Sequence, residues 1–330
     1  MKKLLSGLFA SMMLLAACGE EGENAGAENT SNNNNSSSNV AAENEDNNSS
    51  NNGENNSANE ENETAEADRE DWPETLRFAV TGIDGMEELQ RRYDLFQETM
   101  EELLDIDIEF FALSDRTVAA TAMEYDQVDV ILSGPSEYAQ TKSAEPGAEP
   151  LAAIERDAYY TVIIVHEDSE FETIEDLKGH SVAMKEAGST SGHIGPSALF
   201  IENGMDLDND IDVKLLGDAR VDALKNGDVD ALGDGIRYYD MMVEEDGEGV
   251  WRILHEGPPL PQDPFVASPN LPDSFKEELQ NVLLENDEEI LGAILDHEEN
   301  EKYQQADMVE IDDSDYDLMR ETYSTLGIDL

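Results

Sequence analysis

From Leu76 onward, short runs of aliphatic, β-branched and aromatic residues alternate with segments of helical period, and this alternation restricts the chain to an α/β architecture. Leu76-Arg77-Phe78-Ala79-Val80 reads as a strand that ends at Thr81-Gly82. Met86, Leu89, Tyr93, Phe96, Met100 and Leu103 then recur at spacings of three and four residues, one face of a helix. Ile106 to Phe110 alternates as a strand, and a short helix is expected over about Arg116 to Tyr125. Val128 to Leu132 is an apolar strand, broken at Ser133-Gly134-Pro135-Ser136 before a helix through Tyr138. Further strands are expected at Tyr160–Val165, Ser181–Met184, Ile211–Leu216 and Val229–Leu232, with helices at Thr173–Leu177 and Val221–Lys225. The alternation predicts mainly parallel sheets, in which ligands gather at the carboxyl ends of strands. Two donor-rich segments stand at such ends: Ser133-Gly134-Pro135, and Ser189-Thr190-Ser191-Gly192-His193.

The second of these opens a helix expected to run to about Asn203. Hydroxyls and a glycine at a helix start offer an anion O–H donors, free backbone N–H groups and the positive end of the helix dipole. An N-cap without a ligand is the plain alternative. The setting favours the cradle, because the chain carries 78 acidic residues against 19 basic ones, a formal charge of -59. Such a protein repels anions unless a site built from neutral donors captures them.

The first 17 residues have the form of a signal segment, with Lys2 and Lys3 ahead of an apolar stretch, Leu4 to Leu15, too short to span a bilayer. It ends in Leu15-Ala16-Ala17-Cys18, the form of a bacterial lipobox, so Cys18 is expected to carry acyl chains that tether the protein outside the cytoplasmic membrane. Cys18 is the only cysteine, which excludes an internal disulfide. Residues 18–70 are almost entirely Asn, Ser, Glu, Gly, Ala, Asp and Thr, a composition expected to stay a disordered acidic linker.

The acidic excess continues past the linker, in runs such as Glu244-Glu245-Asp246. It argues against nucleic-acid binding, which needs basic footprints, and matches the surface of a salt-adapted protein. Enzyme motifs are missing: there is no G-x-S-x-G, H-E-x-x-H or P-loop, and the five histidines show no metal-ligand spacing. Asp206-x-Asp208-x-Asp210 lacks the glycine of a calcium loop. No metal, cofactor or catalytic residue is expected.

From about Leu76 to Glu285 the chain resembles the phosphate/phosphite/phosphonate substrate-binding lipoproteins of ABC importers. The resemblance rests on motifs in register: Val128-Asp129-Val130 followed by Ser133-Gly134-Pro135-Ser136-Glu137-Tyr138; Tyr159 to Val165 with Asp168-Ser169; Thr173 to Gly179; Ser189-Thr190-Ser191-Gly192 with Pro196; Asn226 to Ala231; and Pro258 to Pro264. It implies a type II periplasmic-binding-protein fold, two α/β lobes joined by a two-segment hinge with the ligand cleft between them. Lobe 1 would combine 72–157 with 258–330, and lobe 2 would span 158–257. It also implies a monomer that captures a phosphorus oxyanion by lobe closure and hands it to a permease and its ATPase, without catalysis. A binding protein for a sulfonate or a thiamine precursor, or a sensor module, is the alternative.

By position, the resemblance assigns the phosphoryl oxygens to Ser189, Thr190, Ser191 and Gly192, with Ser133 or Gly134 adding donors from lobe 1. His193 is either a contact or a solvent-facing first-turn residue. Only one of Tyr159 and Tyr160 can face the cleft, since strand neighbours point oppositely, and Tyr159 is preferred. Three positions depart from the family pattern. Arg116 stands where a tyrosine is common, as a fork for a phosphoryl group or as a surface ion pair; Leu216-Gly217-Asp218 replaces a histidine turn; and Arg237, near Asp234, falls where aminoalkylphosphonate binders place an acid. Asp218, Arg237 and Asp263 join the candidate ligand contacts. These departures disfavour an amine-bearing phosphonate and leave phosphate, phosphite, a simple alkylphosphonate or an acid-bearing phosphonate.

Overall fold

The computed structural model describes residues 69–83 and 85–330; the signal segment, Cys18 and nearly all of the 18–70 linker lie outside the described residues. The elements follow in the order β1 (Thr75–Val80), α1 (Met86–Leu104), β2 (Asp107–Phe110), α2 (Ala119–Glu124), β3 (Val130–Leu132), α3 (Pro135–Ala144), β4 (Glu149–Glu155), β5 (Tyr160–His166), β6 (Ser181–Met184), α4 (Gly195–Glu202), β7 (Asp212–Leu215), α5 (Arg220–Lys225), β8 (Ala231–Gly235), α6 (Ile236–Asp246), β9 (Trp251–Pro259), β10 (Asp263–Ala267), α7 (Asp273–Glu285), α8 (Asp287–Leu295), β11 (Asp307–Val309) and α9 (Asp317–Thr325). They build a six-stranded sheet, β11-β4-β10-β3-β1-β2, and a five-stranded sheet, β7-β6-β8-β5-β9.

The apolar runs are central strands because both their faces are covered. Phe78 of β1 packs 5.0 Å from Phe96 of α1, ring centre to ring centre, and Phe265 of β10 stacks on Phe96 from beyond. The buried stripe of α1 is Leu89, Tyr93, Phe96, Met100 and Leu104. Met86 is exposed and Leu103 only partly buried, so the stripe is one turn shorter at its start than the spacing predicted and closes one residue later.

The expectation of mainly parallel sheets is corrected. β1 pairs in parallel with β2 and β3, and β6 with β7 and β8. The remaining pairings, β10 with β3 and β4, β11 with β4, and β5 with β8 and β9, are antiparallel. Parallel neighbours need a crossover of a dozen or more residues. No helix separates β4 from β5 or β9 from β10, so these strands enter the sheets free of that constraint.

The chain crosses between the sheets at those two places, through residues 156–159 and 260–262. The crossings are tied together: Leu260 N–H donates to Tyr159 O at 2.8 Å and Arg156 N–H to the Gln262 side-chain oxygen at 2.7 Å. Two local differences from the sequence reading bear on the site. The strand expected at Val229–Leu232 lies later, at Ala231–Gly235, which brings Asp234 to a carboxyl end. The helix expected from Ser189 begins with a π turn over Thr190–Ile194, closed by Ile194 N–H to Ser189 O at 2.9 Å, before α4 takes over. Lys185 N–H, donating to Gly192 O at 2.8 Å, anchors this widened turn to the end of β6.

Candidate ligand cleft

Two helix starts, one beside each sheet, face each other. On the six-stranded side β3 is followed by Ser133 and by Gly134, whose N–H donates to the Thr81 hydroxyl at 3.1 Å, and α3 begins at Pro135. On the five-stranded side β6 leads into the π turn. The two starts touch: Ser136 N–H donates to Thr190 Oγ1 at 3.1 Å, and the Thr190 hydroxyl donates to Ser136 Oγ at 2.9 Å. Ser136 Oγ lies 2.6 Å from Gly188 O and 2.8 Å from Glu137 Oε2.

Beside this contact lies a cavity of about 100 Å³. Its walls hold Thr81 and Gly134 from one side and Ser189, Thr190, Ser191 and Gly235 from the other, with Tyr159 at the crossing. Burial pushes the Tyr159 phenol up to about 12, against the pull of Arg156, so it remains an O–H donor at neutral pH. Five cations also line the cavity: Arg116, Arg156, Lys185, Arg237 and Lys302. In a chain of net charge -59 this is a concentration of positive charge in a low-dielectric recess, where it is worth most.

Each cation has its own pairing. Arg116 spans the cleft, donating to Glu137 on α3 at 2.8 Å and to Glu186 on the opposite wall at 2.5 Å. Its guanidinium lies against Gly82, where a Cβ would come within 2.2 Å of it. Arg237 donates to Glu301 at 2.9 Å, a second link across the cleft mouth. Arg156 stacks 3.7 Å over the Tyr159 ring. Lys302 donates to Asp263 Oδ2 at 3.1 Å, and Tyr303 O–H donates to the same oxygen at 2.9 Å. Burial lowers the Lys302 ammonium to about 8; Asp263 opposes this and Arg156 and Arg116 add to it. Burial works to raise the Asp263 carboxyl, but Lys302 and Arg156 hold it below the usual carboxylate range. Asp234 is raised by burial despite the Arg220 guanidinium that donates to its Oδ2, while its Oδ1 accepts from Gly235 N–H at 2.8 Å.

Of the residues singled out from sequence, Ser189, Thr190, Ser191, Tyr159, Gly134, Arg116, Arg237 and Asp263 line this cavity. Ser133 does not: its hydroxyl donates to Gly134 O and its N–H to Pro264 O. Gly192 is packed against Lys185, where a Cβ would sit 2.6 Å from the lysine Cβ. His193 turns back to its own loop, Nδ1 accepting from Gly188 N–H at 3.2 Å, and burial lowers its pKa toward the neutral form. Asp218 has a fully exposed side chain and borders the outer basin of the cleft, shared with Glu298, Glu299 and Glu301. Sequence reasoning missed Thr81, Arg156, Lys185, Asp234 and Lys302 as lining residues. For the three cations a signal existed, the rarity of basic residues: 19 in 330 positions.

Comparison with known proteins matches residues 78–316 to the family model described as "ABC transporter, phosphonate, periplasmic substrate-binding protein". The chain is similar to the phosphonates-binding periplasmic protein of Escherichia coli, 22% identical over 229 residues that cover 66% of this chain and 68% of that one. It is also similar to a phosphate-import protein of Mycolicibacterium smegmatis, 27% identical over 142 residues, 41% of this chain and 44% of that one. Among solved structures it resembles a Prochlorococcus marinus protein in complex with methylphosphonate, with TM-score 0.61, 19% identity, and coverage of 77% of this chain and 99% of that one. It resembles the periplasmic aliphatic sulphonate binding protein of Escherichia coli at TM-score 0.56, 19% identity, and coverage of 78% and 89%. These likenesses establish the type II periplasmic-binding-protein fold.

Proposed function

Because the chain belongs to the family of periplasmic substrate-binding proteins of phosphonate ABC transporters, we propose that it captures a phosphorus oxyanion in the cleft between its two sheets and delivers it to a permease and its ATPase. The observation that carries this reading is the meeting of two helix starts over a cavity lined by Ser189, Thr190, Ser191, Thr81 and Tyr159. Neutral hydroxyls and N–H groups there match the oxygens of a phosphonate, phosphite or phosphate. Cations behind them offset the repulsion of a chain at -59.

Closure would bring the lobe built on the six-stranded sheet, 72–157 with 260–330, onto the lobe built on the five-stranded sheet, 158–259, about the paired crossings. The Ser136–Thr190 and Arg116–Glu186 bonds are contacts that a closed form uses. The mature protein would act as a monomer, held at the outer face of the membrane by acyl chains on Cys18, and no residue would perform chemistry on the ligand. Calorimetric titration of the protein in molar salt with methylphosphonate, phosphite, phosphate and a methylsulfonate control tests the reading. Saturable binding of a phosphorus compound without turnover is the expected result. A protein that binds the sulfonate and none of the phosphorus compounds would overturn it.

A further inference from the structure

The cations around the cavity are unequally satisfied. Arg116 is held by two carboxylates and Arg237 by Glu301. Arg156 and Lys302, by contrast, share one acid. Lys302 takes Asp263 Oδ2 in a hydrogen bond, and Arg156 stands 3.6 Å from Oδ1, beyond hydrogen-bond reach. Tyr303 draws on the same carboxylate. The group of Arg156, Lys302 and Asp263 therefore carries a surplus positive charge, and all three line the cavity. Lys185 adds another cation to that lining, its nearest carboxylate being Glu186 at 3.7 Å, which Arg116 already holds.

Three acids line the cavity: Asp157 is exposed, in the first crossing, while the two buried ones, Asp234 and Asp263, do not invite a positive ligand. Both oxygens of Asp234 are used, by Arg220 and by Gly235 N–H. Asp263 Oδ1 has no hydrogen-bond partner, but an ammonium reaching it would come between two cations.

We propose that Arg156 and Lys302 form a second anion subsite in the cleft, which takes a carboxylate on the organic substituent of the ligand, so that the preferred ligands are short phosphonocarboxylates. This rests on the phosphorus-oxyanion reading. The guanidinium, its carbon 3.7 Å over the Tyr159 ring, offers a planar fork of donors to a carboxylate, and the lysine supplies a point charge beside it. Burial lowers the Lys302 ammonium, and Arg156 and Arg116 add to this, so an anion bound beside it would stabilise its charged form.

The test is calorimetric titration of the wild-type protein with methylphosphonate, phosphonoacetate and 2-aminoethylphosphonate at pH 7, followed by Lys302→Met and Lys302→Arg. Phosphonoacetate should bind at least about tenfold more tightly than methylphosphonate, the worth of one charge-assisted bond, and 2-aminoethylphosphonate more weakly than either. Lys302→Met should bring the phosphonoacetate preference close to one, while Lys302→Arg retains it. Equal affinity of the wild type for methylphosphonate and phosphonoacetate would overturn the subsite and leave the oxyanion reading standing. So would a folded Lys302→Met protein that keeps the preference. Failure of all three compounds to bind would overturn the subsite, and failure of phosphite and phosphate as well would overturn the oxyanion reading. If Lys302→Met does not fold, the wild-type comparison decides alone.

Discussion

Arg116→Met is the perturbation whose cost the structure defines most sharply. Glu137 is 1% exposed, and Arg116 is its one ion-pair partner among the described residues, at 2.8 Å. With Arg116 gone, the carboxylate keeps the Ser136 hydroxyl at 2.8 Å and the more distant Thr190 hydroxyl at 3.4 Å, neither of which neutralises it. Breaking a buried ion pair from one side costs about 3–5 kcal/mol. The second partner, Glu186, has a side chain 39% exposed, and losing that contact adds less than about 1 kcal/mol. At about 2–4 °C per kcal/mol for a fold of this size, the melting midpoint should fall by roughly 6–20 °C. Thermal and urea unfolding of the ligand-free protein, followed by circular dichroism in molar salt, reads this directly. Arg116→Met with Glu137→Gln should recover most of the loss, because the amide needs no counter-charge, whereas Glu186→Gln alone should stay within about 1 kcal/mol of wild type. The reasoning fails if Arg116→Met costs under about 1 kcal/mol, or if the double variant is as unstable as the single one.

Thr190→Val keeps the side-chain shape, removes one cradle hydroxyl and strands the buried Ser136 N–H, a loss of about 1–3 kcal/mol confined to the form in which the walls touch. Methylphosphonate affinity should therefore drop about 5- to 150-fold in a calorimetric titration, and unchanged affinity would remove Thr190 from the site. Lys302 supplies a pH dependence. As pH rises from 7 to 9 the ammonium, lowered to about 8, loses its proton, so the preference for phosphonoacetate over methylphosphonate should shrink. In the ligand-free fold the sign is opposite: above pH 8 the unfolded chain holds this proton more tightly than the native one, so this group's contribution to stability rises with pH up to the ordinary lysine value of 10.5. Titrations at pH 7 and 9, with Lys302→Met as the flat control, check the binding arm.

The donor-rich lining of the cleft was legible because it is local. Ser189 to Ser191 and Gly134 each come shortly after an apolar strand and open a helix, so donors, strand end and helix start lie within several residues of one another. The π turn that spaces those donors was not legible, since it is set by contacts beyond the segment. Gly195, for instance, packs on Thr161, where a Cβ would come within 2.2 Å of the hydroxyl. The antiparallel strands were missed for a related reason. Helical periodicity announces a parallel crossover, but the short links after β4 and β9 carry no periodic signal that reveals the direction of the next strand.

By itself the sequence determined the α/β class, the position of most of its central strands and the donor-rich turns near their ends, since burial on both faces and 3.6-residue periodicity are written in neighbouring residues. The charge lining of the cleft was decided only by tertiary structure. Arg116 precedes α2, Arg156 lies in the first crossing, Asp263 begins β10 and Lys302 sits in a short turn before β11. None of these announces the others, because a long-range field depends on distances in space. Arg116 and Asp263 read in sequence as candidate contacts, and Arg156 and Lys302 only as further surface charges. Folding brings them around one recess, where burial strengthens every interaction and leaves Arg156 and Lys302 to share a single carboxylate.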